Sequence, residues 1–433
     1  MVYKEAGLIL GEDYLKDELG RVESHQLQET NHKKEINISK TTELVEKMIH
    51  VALHDVEANI IEVEDVKYFG AGKKFGAAVF TRDIALAGIL ALNQLYPELM
   101  LKSIKHTREI RKQKGFNVTK DYVMNDIKAP WKVIQPIERE DAVNKKLFEG
   151  GPITRRTDDV VWIWCTYDLI KDNEEELVWF YEIACYFFEN YYRPFYDEED
   201  GLYRGQACFI DIHFPQFKAN GYPSHWSITD CAMIKSLSTN CLYKAAMDRM
   251  TLAAKALGRS EEEKMWARQS SNLKQAIIKE LKLKDGTLAY YKDANGIVTE
   301  RREALGTAFA VLHGIVEGEE AKELLLSYPK TNKGVPLFYP FFDLDTENYA
   351  IKPFNHNDST WPFVDRFFIR ALEKATHEDL SGYNIALLAR TCRDDGTFHE
   401  LVDAITGEIK GSKSQLWTAA AFLNICLEKS MIH

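Results

Sequence analysis

The sequence predicts an all-α protein, a ring of six antiparallel helical hairpins or (α/α)6 toroid, with small β-hairpin decorations in its loops. Three observations lead there. Twelve stretches of the 433-residue chain carry apolar residues at three- and four-residue spacing and stop at Gly, Pro or Asn. Some follow one another across short turns, as at "YPEL" (96–99), "KDNEE" (171–175), "LGRSEEE" (257–263) and "THEDLSG" (376–382). Others are separated by long aromatic and acidic connections, 114–156, 194–229, 329–357 and 394–413. Short turns at one end and long loops at the other are what paired helices closed into a ring would give.

In chain order the helices are expected at about 42–62, 82–96, 98–113, 157–172, 174–193, 230–257, 260–282, 303–316, 318–328, 358–375, 378–393 and 414–430. "KDGTLAYYKDANGIVTER" (284–301) reads as a decorating β-hairpin, because "DANG" supplies turn chemistry between two strand-like runs. The first 40 residues are polar and weakly periodic and read as an outer arm. With no Pro, Gly and Ser-rich linker, residues 41–433 read as one catalytic-sized domain. A helical solenoid would repeat at a fixed period, and these hairpins do not.

Composition narrows the function classes. A net charge of -11 and the lack of a broad Lys and Arg run leave no footprint for nucleic acid. Apolar runs such as "IALAGILAL" (84–92) are far shorter than the roughly 20 residues of a membrane span. The N-terminus lacks the pattern of a signal peptide, so a cytoplasmic place is expected unless a signal was removed. Seven scattered cysteines without a CxxC fit reduced thiols. The aromatic share, 12% with eight tryptophans, is the first pointer to a site, because several tryptophans stand beside acidic residues.

Two loop acids stand out. Asp211 lies in the largely apolar run Ala207 to Phe214, where desolvation would raise its pKa and keep it protonated as a general acid requires. A turn or capping role is the plainer reading of such an aspartate. Glu400 sits among Gly396, Gly407 and Gly411, just before a small-residue helix that begins with Trp417. Glycoside hydrolysis with inversion needs two carboxyls roughly 6.5–9.5 Å apart across the sugar. In a ring of hairpins both loops would open on one face, so their distance in sequence is no obstacle.

"DDGTFHELVDAITGEIKGSKSQLWTAAAFL" (394–423) resembles the C-terminal signature of inverting (α/α)6 glycosidases: glycoside hydrolase family 63, the mannosylglycerate and glucosylglycerate hydrolases, and trehalase. Phe398, Glu400, Asp403, Thr406, Gly407, Gly411, Trp417, Thr418 and Ala419 fill the pattern. "NHNDSTWPFVDRFFIRAL" (355–372) resembles a second segment, with Asp358 where glycine is usual. "LSTNCLYKAAMDRMTLAAKALG" (237–258) resembles a third, with Ser238 in place of the usual acid. "FTRDIALAGILAL" (80–92) and "CFIDIHFPQFKANGYP" (208–223) resemble a fourth segment and the catalytic-acid slot, and also segments of the neutral invertases of glycoside hydrolase family 100. The resemblance covers about residues 65 to 430.

That resemblance implies Asp211 as general acid and Glu400 as the base that activates water, with Arg82 and Asp83 binding hydroxyls of the cleaved sugar. "RRTDDVVWIW" (155–164) resembles another sugar-binding segment; it nominates Asp158 and Asp159, which also suit helix capping, with Trp162 or Trp164 as a stacking wall. Trp361 and Trp417 are the platform candidates, because each begins a helix right after a loop expected to face the cavity. His213, His225, His356 and His399 lie near the expected mouth without metal-ligand spacing, so no metal and no cofactor is expected.

The expected function is a glycoside hydrolase, exo-acting with inversion on a small α-glucoside or α-mannoside, a β-fructofuranoside being a lesser option. The partner is a small carbohydrate, and the sequence is silent on oligomeric state. Alternatives are a sugar epimerase of the N-acylglucosamine 2-epimerase type, which would need histidines as acid and base, and a non-catalytic carbohydrate-binding barrel.

Overall fold

The structure, a computed structural model, describes residues 34, 36–63, 65–70, 72, 79–114, 117–118, 134–135, 160–210, 221–223, 225–226, 228–342, 356–392 and 395–432. Twelve helices of the described residues build two concentric rings. The inner ring is α2 (Thr81–Ala87, prolonged by a π-helical turn Gly88–Leu92 and by Asn93–Leu95), α4 (Val161–Ile170), α6 (Leu237–Ala256), α8 (Ala304–Leu312), α10 (Pro362–Thr376) and α12 (Leu416–Glu428). Each inner helix packs on the next, and α12 packs back on α2, which closes the ring. Across that closure Asn424 Nδ2 donates to the carbonyl of Leu90 at 2.7 Å. The outer ring is α1 (Glu43–Glu57), α3 (Pro97–Lys114), α5 (Glu174–Phe187), α7 (Ser260–Leu281), α9 (Gly318–Leu326) and α11 (Ser381–Arg390).

Sequence explains which helix goes where. In α8, "ALGTAFAVL", Ala304 through Val311 are all buried, and in α12 Leu416 through Cys426 are too, as befits helices covered on every side. By contrast α7 buries only Trp266, Ser270, Leu273, Ala276, Ile277 and Leu281, a stripe at helical spacing, and turns its charges to solvent. Local signals set the starts. Thr42 caps α1 by accepting from the Val45 N–H at 3.3 Å, and Asn173 caps α5 by accepting from Glu176 N–H at 3.2 Å, with Glu174, Glu175 and Glu176 in its first turn.

Each inner helix from α2 to α10 passes to its outer partner through a short turn, and each outer helix returns to the next inner one through a long connection. All the N-termini of the inner ring therefore open on one face, the face that carries the long connections. The short strands of the described residues all lie in those connections. Lys235–Ser236 pairs with Tyr291–Lys292, Arg302–Glu303 with Phe338–Tyr339, and Ser359–Thr360 with Leu401–Asp403, which pairs in turn with Ile409–Lys410. Neighbouring loops are thus stitched into a rim.

One expectation is corrected and another is met. The helix expected over 230–257 is split into Ile228–Met233 and α6, because Lys235–Ser236 is taken as a rim strand. The hairpin expected over 284–301 forms around its "DANG" turn: Asp293 N–H bonds Ile297 C=O at 2.8 Å, Thr299 N–H bonds Tyr291 C=O at 3.1 Å and Tyr290 N–H bonds Arg301 C=O at 2.6 Å, while its Tyr291–Lys292 strand also pairs across the rim. Residues 1–33 of the expected arm lie outside the described residues, and Ile36 bridges Ile432 at the C-terminal end.

Candidate active site

Glu400 begins the turn into the three-stranded sheet before α12. It is 6% exposed, its backbone N–H bonds the carbonyl of Ser412 at 3.0 Å, and its Oε2 accepts from the Ser412 N–H at 2.8 Å. Gly411, at φ 82°, lies so close that an added Cβ would sit 2.6 Å from both Cβ and Oε2 of Glu400. Only glycine allows both that backbone and that approach. Behind the loop, Gln415 N–H bonds Phe398 C=O at 2.9 Å. Asp55 of α1, fully buried, accepts from Thr397 Oγ1 and from Phe398 N–H; burial pushes its carboxyl above the ordinary range while those bonds oppose the shift.

Next to Glu400, His399 Nε2 lies 3.0 Å from Asp395 Oδ1, and Lys413 pairs with Asp395 at 2.5 Å. Burial works against ionising Asp395, but the bonds from Lys413 and His399 outweigh it and hold the carboxyl below its ordinary range. Five polar atoms of this stretch, His399 Nδ1, Ser412 Oγ, Gln415 Oε1, Trp417 Nε1 and Thr418 Oγ1, are buried without a hydrogen-bond partner among the described residues. Such orphaned groups are uncommon in a folded chain, and five of them in the one stretch that carries Glu400 suit a polar ligand.

An aromatic cluster links this loop to the segment before Asp211. Phe363 stacks on Trp417 with ring centroids 4.4 Å apart, and His356 stacks on Trp361 at 5.3 Å. Phe209 touches all four, at 5.0 Å from Trp361, 4.9 Å from Phe363, 5.8 Å from His356 and 6.0 Å from Trp417. Phe209 also holds a φ of 57°, rare for a bulky residue and kept only where the surroundings over-determine it. Its turn is fixed from three sides: Cys208 N–H bonds Ser238 Oγ at 2.8 Å, Ala207 N–H bonds Tyr222 Oη at 3.0 Å, and Gln206 Nε2 bonds Ile210 C=O at 2.9 Å. Asp211 itself, with His213, lies outside the described residues, as do Asp158 and Asp159.

Arg82 and Asp83 sit in the first turn of α2, on the same face of the ring, and pair with each other at 3.2 Å. Trp361 and Trp417, each 3% exposed, are the packed floor beside the Glu400 loop rather than open platforms. Trp162 is placed differently. Its ring meets Phe180 and Phe187 edge-on, and its Nε1 donates to Tyr192 Oη at 3.0 Å, so it fills the space between the two rings. Trp164 points to the opposite end, against His313 and Phe309, with Nε1 on Asp168. The reason is helical phase: positions 162 and 164 of a helix buried on all sides face its neighbours. His225 is exposed. Among the described residues no three His, Cys, Asp or Glu side chains are arranged to hold a metal ion, and no helix is long and apolar enough to cross a membrane. None of the seven cysteines is in a disulfide.

Sequence reasoning missed two buried carboxyls on the rim. Glu303, immediately before α8, is fully buried; its Oε2 accepts from the Ser238 N–H at 3.1 Å, Oε1 has no partner among the described residues, and burial pushes the carboxyl up to about 8. Asp365, in the first turn of α10, accepts from Val335 N–H at 2.7 Å, and burial pushes it up to about 7. The acidic residue just before a largely apolar helix, "ALGTAFAVL", was the available signal for Glu303.

Residues 213–418 match the family model described as the Mannosylglycerate hydrolase MGH1-like glycoside hydrolase domain. No curated protein sequence matches the chain. Solved structures share the fold at low identity. A GH63 mannosylglycerate hydrolase from Thermus thermophilus, in complex with Tris and D-glycerate, aligns with a TM-score of 0.59 and 12% identity over 87% of this chain and 99% of that one. A glycosidase variant in complex with glucose aligns at 0.54 and 12% identity over 90% of this chain and 99% of that one. A GH78 family rhamnosidase of a Bacillus species aligns at 0.55 and 14% identity over 94% of this chain, which spans 36% of the rhamnosidase's length. These likenesses bear out the helical toroid.

Proposed function

We propose that this chain, a glycoside hydrolase of the MGH1-like type, removes a terminal sugar from a small α-glucoside or α-mannoside with inversion. Asp211 serves as general acid and Glu400 as general base. The observation that carries the reading is the convergence of two loops on one aromatic cluster: Phe209, two positions before Asp211, packs on Trp361 and Trp417, and Trp417 opens the helix that the Glu400 loop feeds. Protonation of a leaving oxygen and activation of a water require two carboxyls at one mouth, and the loops that carry Asp211 and Glu400 share this cluster through Phe209 and Trp417.

In this account the Ser412 N–H on Oε2 orients Glu400, and the carboxylate takes the proton of the attacking water. Asp211 gives its proton to the glycosidic oxygen as the bond breaks. The buried Trp417 indole N–H and the Ser412 hydroxyl supply hydrogen bonds to sugar or water, and Arg82 with Asp83 holds hydroxyls of the same ring. Asp158 and Asp159 join that set as further hydroxyl ligands. Solved relatives of the fold hold glucose, or Tris with D-glycerate, a scale of ligand that suits a pocket for one or two sugars.

A panel of aryl glycosides, glycosyl fluorides and small α-linked disaccharides tests the assignment. Release of glucose or mannose from the non-reducing end of an α-linked compound is the expected result. Cleavage confined to β-linked compounds, or to the interior of polymers, contradicts it.

A further inference from the structure

Both feet of the Glu400 loop are tied to one helix of the outer ring. Asp55, in the last turn of α1, accepts from Thr397 Oγ1 at 2.8 and 3.0 Å and from Phe398 N–H at 2.7 Å. One turn further on, Asn59 Nδ2 donates to Ser414 C=O at 2.8 Å and to Asp55 C=O at 2.7 Å. The two feet are also joined to each other, because Ser414 N–H donates to Thr397 Oγ1 at 3.0 Å. Thr397 Oγ1 therefore spends its proton on Asp55 and its lone pair on Ser414. Asp55, Asn59 and Ser414 are buried, Thr397 is half-buried, and α1 packs along α12, so the anchor is rigid.

We propose that Asp55, acting through Thr397, is the positioning residue for Glu400, and that the knot of Asp55, Asn59, Thr397 and Ser414 sets where the base stands in the mouth. This rests on the reading of Glu400 as the base. Glu400 is three residues from Thr397 and two from Phe398, in a loop whose other strand leaves through Ser414, so a shift at either foot reaches the carboxylate through a few stiff peptide units. Misplacement by about 1 Å costs on the order of 100-fold in rate. A carboxylate taking two donors from one loop, the Thr397 hydroxyl shared between its oxygens and the Phe398 N–H, is more than the fold of α1 needs, since α1 is already capped by Thr42 and packed on α12. Ser414 holds a φ of 49°, a conformation that the crossing bonds to Asn59 and Thr397 keep in place.

The test uses α-D-glucopyranosyl and α-D-mannopyranosyl fluoride, whose fluoride leaves with little help from an acid, so that the rate reports the base. Asp55→Asn and Thr397→Val are each expected to lower kcat by about 10- to 100-fold with KM changed less than about threefold, and to move the acidic limb of the pH profile. Thr397→Ser keeps the hydroxyl and should return kcat to within about threefold of the wild type. Where Asp55→Asn does not fold, Thr397→Val decides, being of nearly equal size. A Thr397→Val protein with wild-type kcat and an unmoved acidic limb, even at a lower melting temperature, overturns the proposal. Glu400→Gln separates the two levels: full activity in that variant defeats the base assignment itself, whereas its inactivity beside a fully active Thr397→Val defeats the positioning role alone. A wild type that hydrolyses neither fluoride defeats the reading on which both stand.

Discussion

Gly411 lies against Glu400 with no room for a side chain, an added Cβ falling 2.6 Å from the Cβ and Oε2 of the carboxylate. Its φ of 82° is a second reason that the position takes glycine. Gly411→Ala should therefore displace Glu400 and lower kcat by on the order of 100-fold, while backbone strain costs about 1 kcal/mol or somewhat more of stability. Steady-state kinetics beside a thermal melt checks this; normal kcat in a destabilised protein would mean that the loop relaxes without moving the base.

The acid and the base should fail differently. Glu400→Gln is expected to lose activity by about 10²- to 10⁴-fold on every substrate, because water activation is needed for each. Asp211→Asn should lose as much on an unactivated disaccharide but far less on a glycosyl fluoride, whose leaving group needs little protonation. Equal losses on both kinds of substrate would deny Asp211 its role.

Legibility in the sequence followed the length scale of the signal. The twelve helices and their alternation of short and long connections were readable because apolar spacing and turn chemistry are local. The rim was not: Lys235–Ser236 becomes a strand only because Tyr291–Lys292 arrives beside it, and no local pattern encodes that pairing. Glu400 was legible through its glycines, and Gly411 now shows why they matter. Asp358 is instructive too, since it stands where the resembling enzymes carry glycine and has a φ of 54°, a conformation that a short polar side chain tolerates. Trp162 misled because a tryptophan near paired acids looks like a sugar platform, whereas helical phase turns it into the core. Asp55 and Glu303 were invisible because burial, not neighbouring sequence, gives them their character.

The two tryptophan settings give opposite expectations. Trp162→Phe removes the bond to Tyr192 and some core volume and should cost about 1–3 kcal/mol of stability, with KM unchanged. Trp417→Phe keeps most of the stack on Phe363 but removes the indole N–H, so it should raise KM or lower kcat more than it lowers the melting temperature. The reverse pattern would restore Trp162 as a sugar contact.

Glu303 predicts a pH dependence of stability. Burial lifts its carboxyl from an ordinary 4.5 to about 8, so over that window the folded chain keeps a proton that the unfolded chain has released. Its contribution is full below about 4.5 and is lost as pH rises to about 8, so stability should decline with rising pH there. Glu303→Gln, neutral throughout, should flatten the part of that decline due to this residue, leaving the share of Asp365, whose carboxyl burial also raises. Melting temperatures from about pH 5 to about pH 8.5 decide it: parallel curves for variant and wild type would show that Glu303 ionises normally.

The central claim is inversion by a water that Glu400 activates, and proton NMR of the first-released sugar tests it most directly. With α-D-glucopyranosyl or α-D-mannopyranosyl fluoride as substrate, the account predicts that the β-anomer appears first and mutarotates afterwards to the equilibrium mixture. First appearance of the α-anomer would mean retention, and would contradict the assignment of Glu400 as a water-activating base.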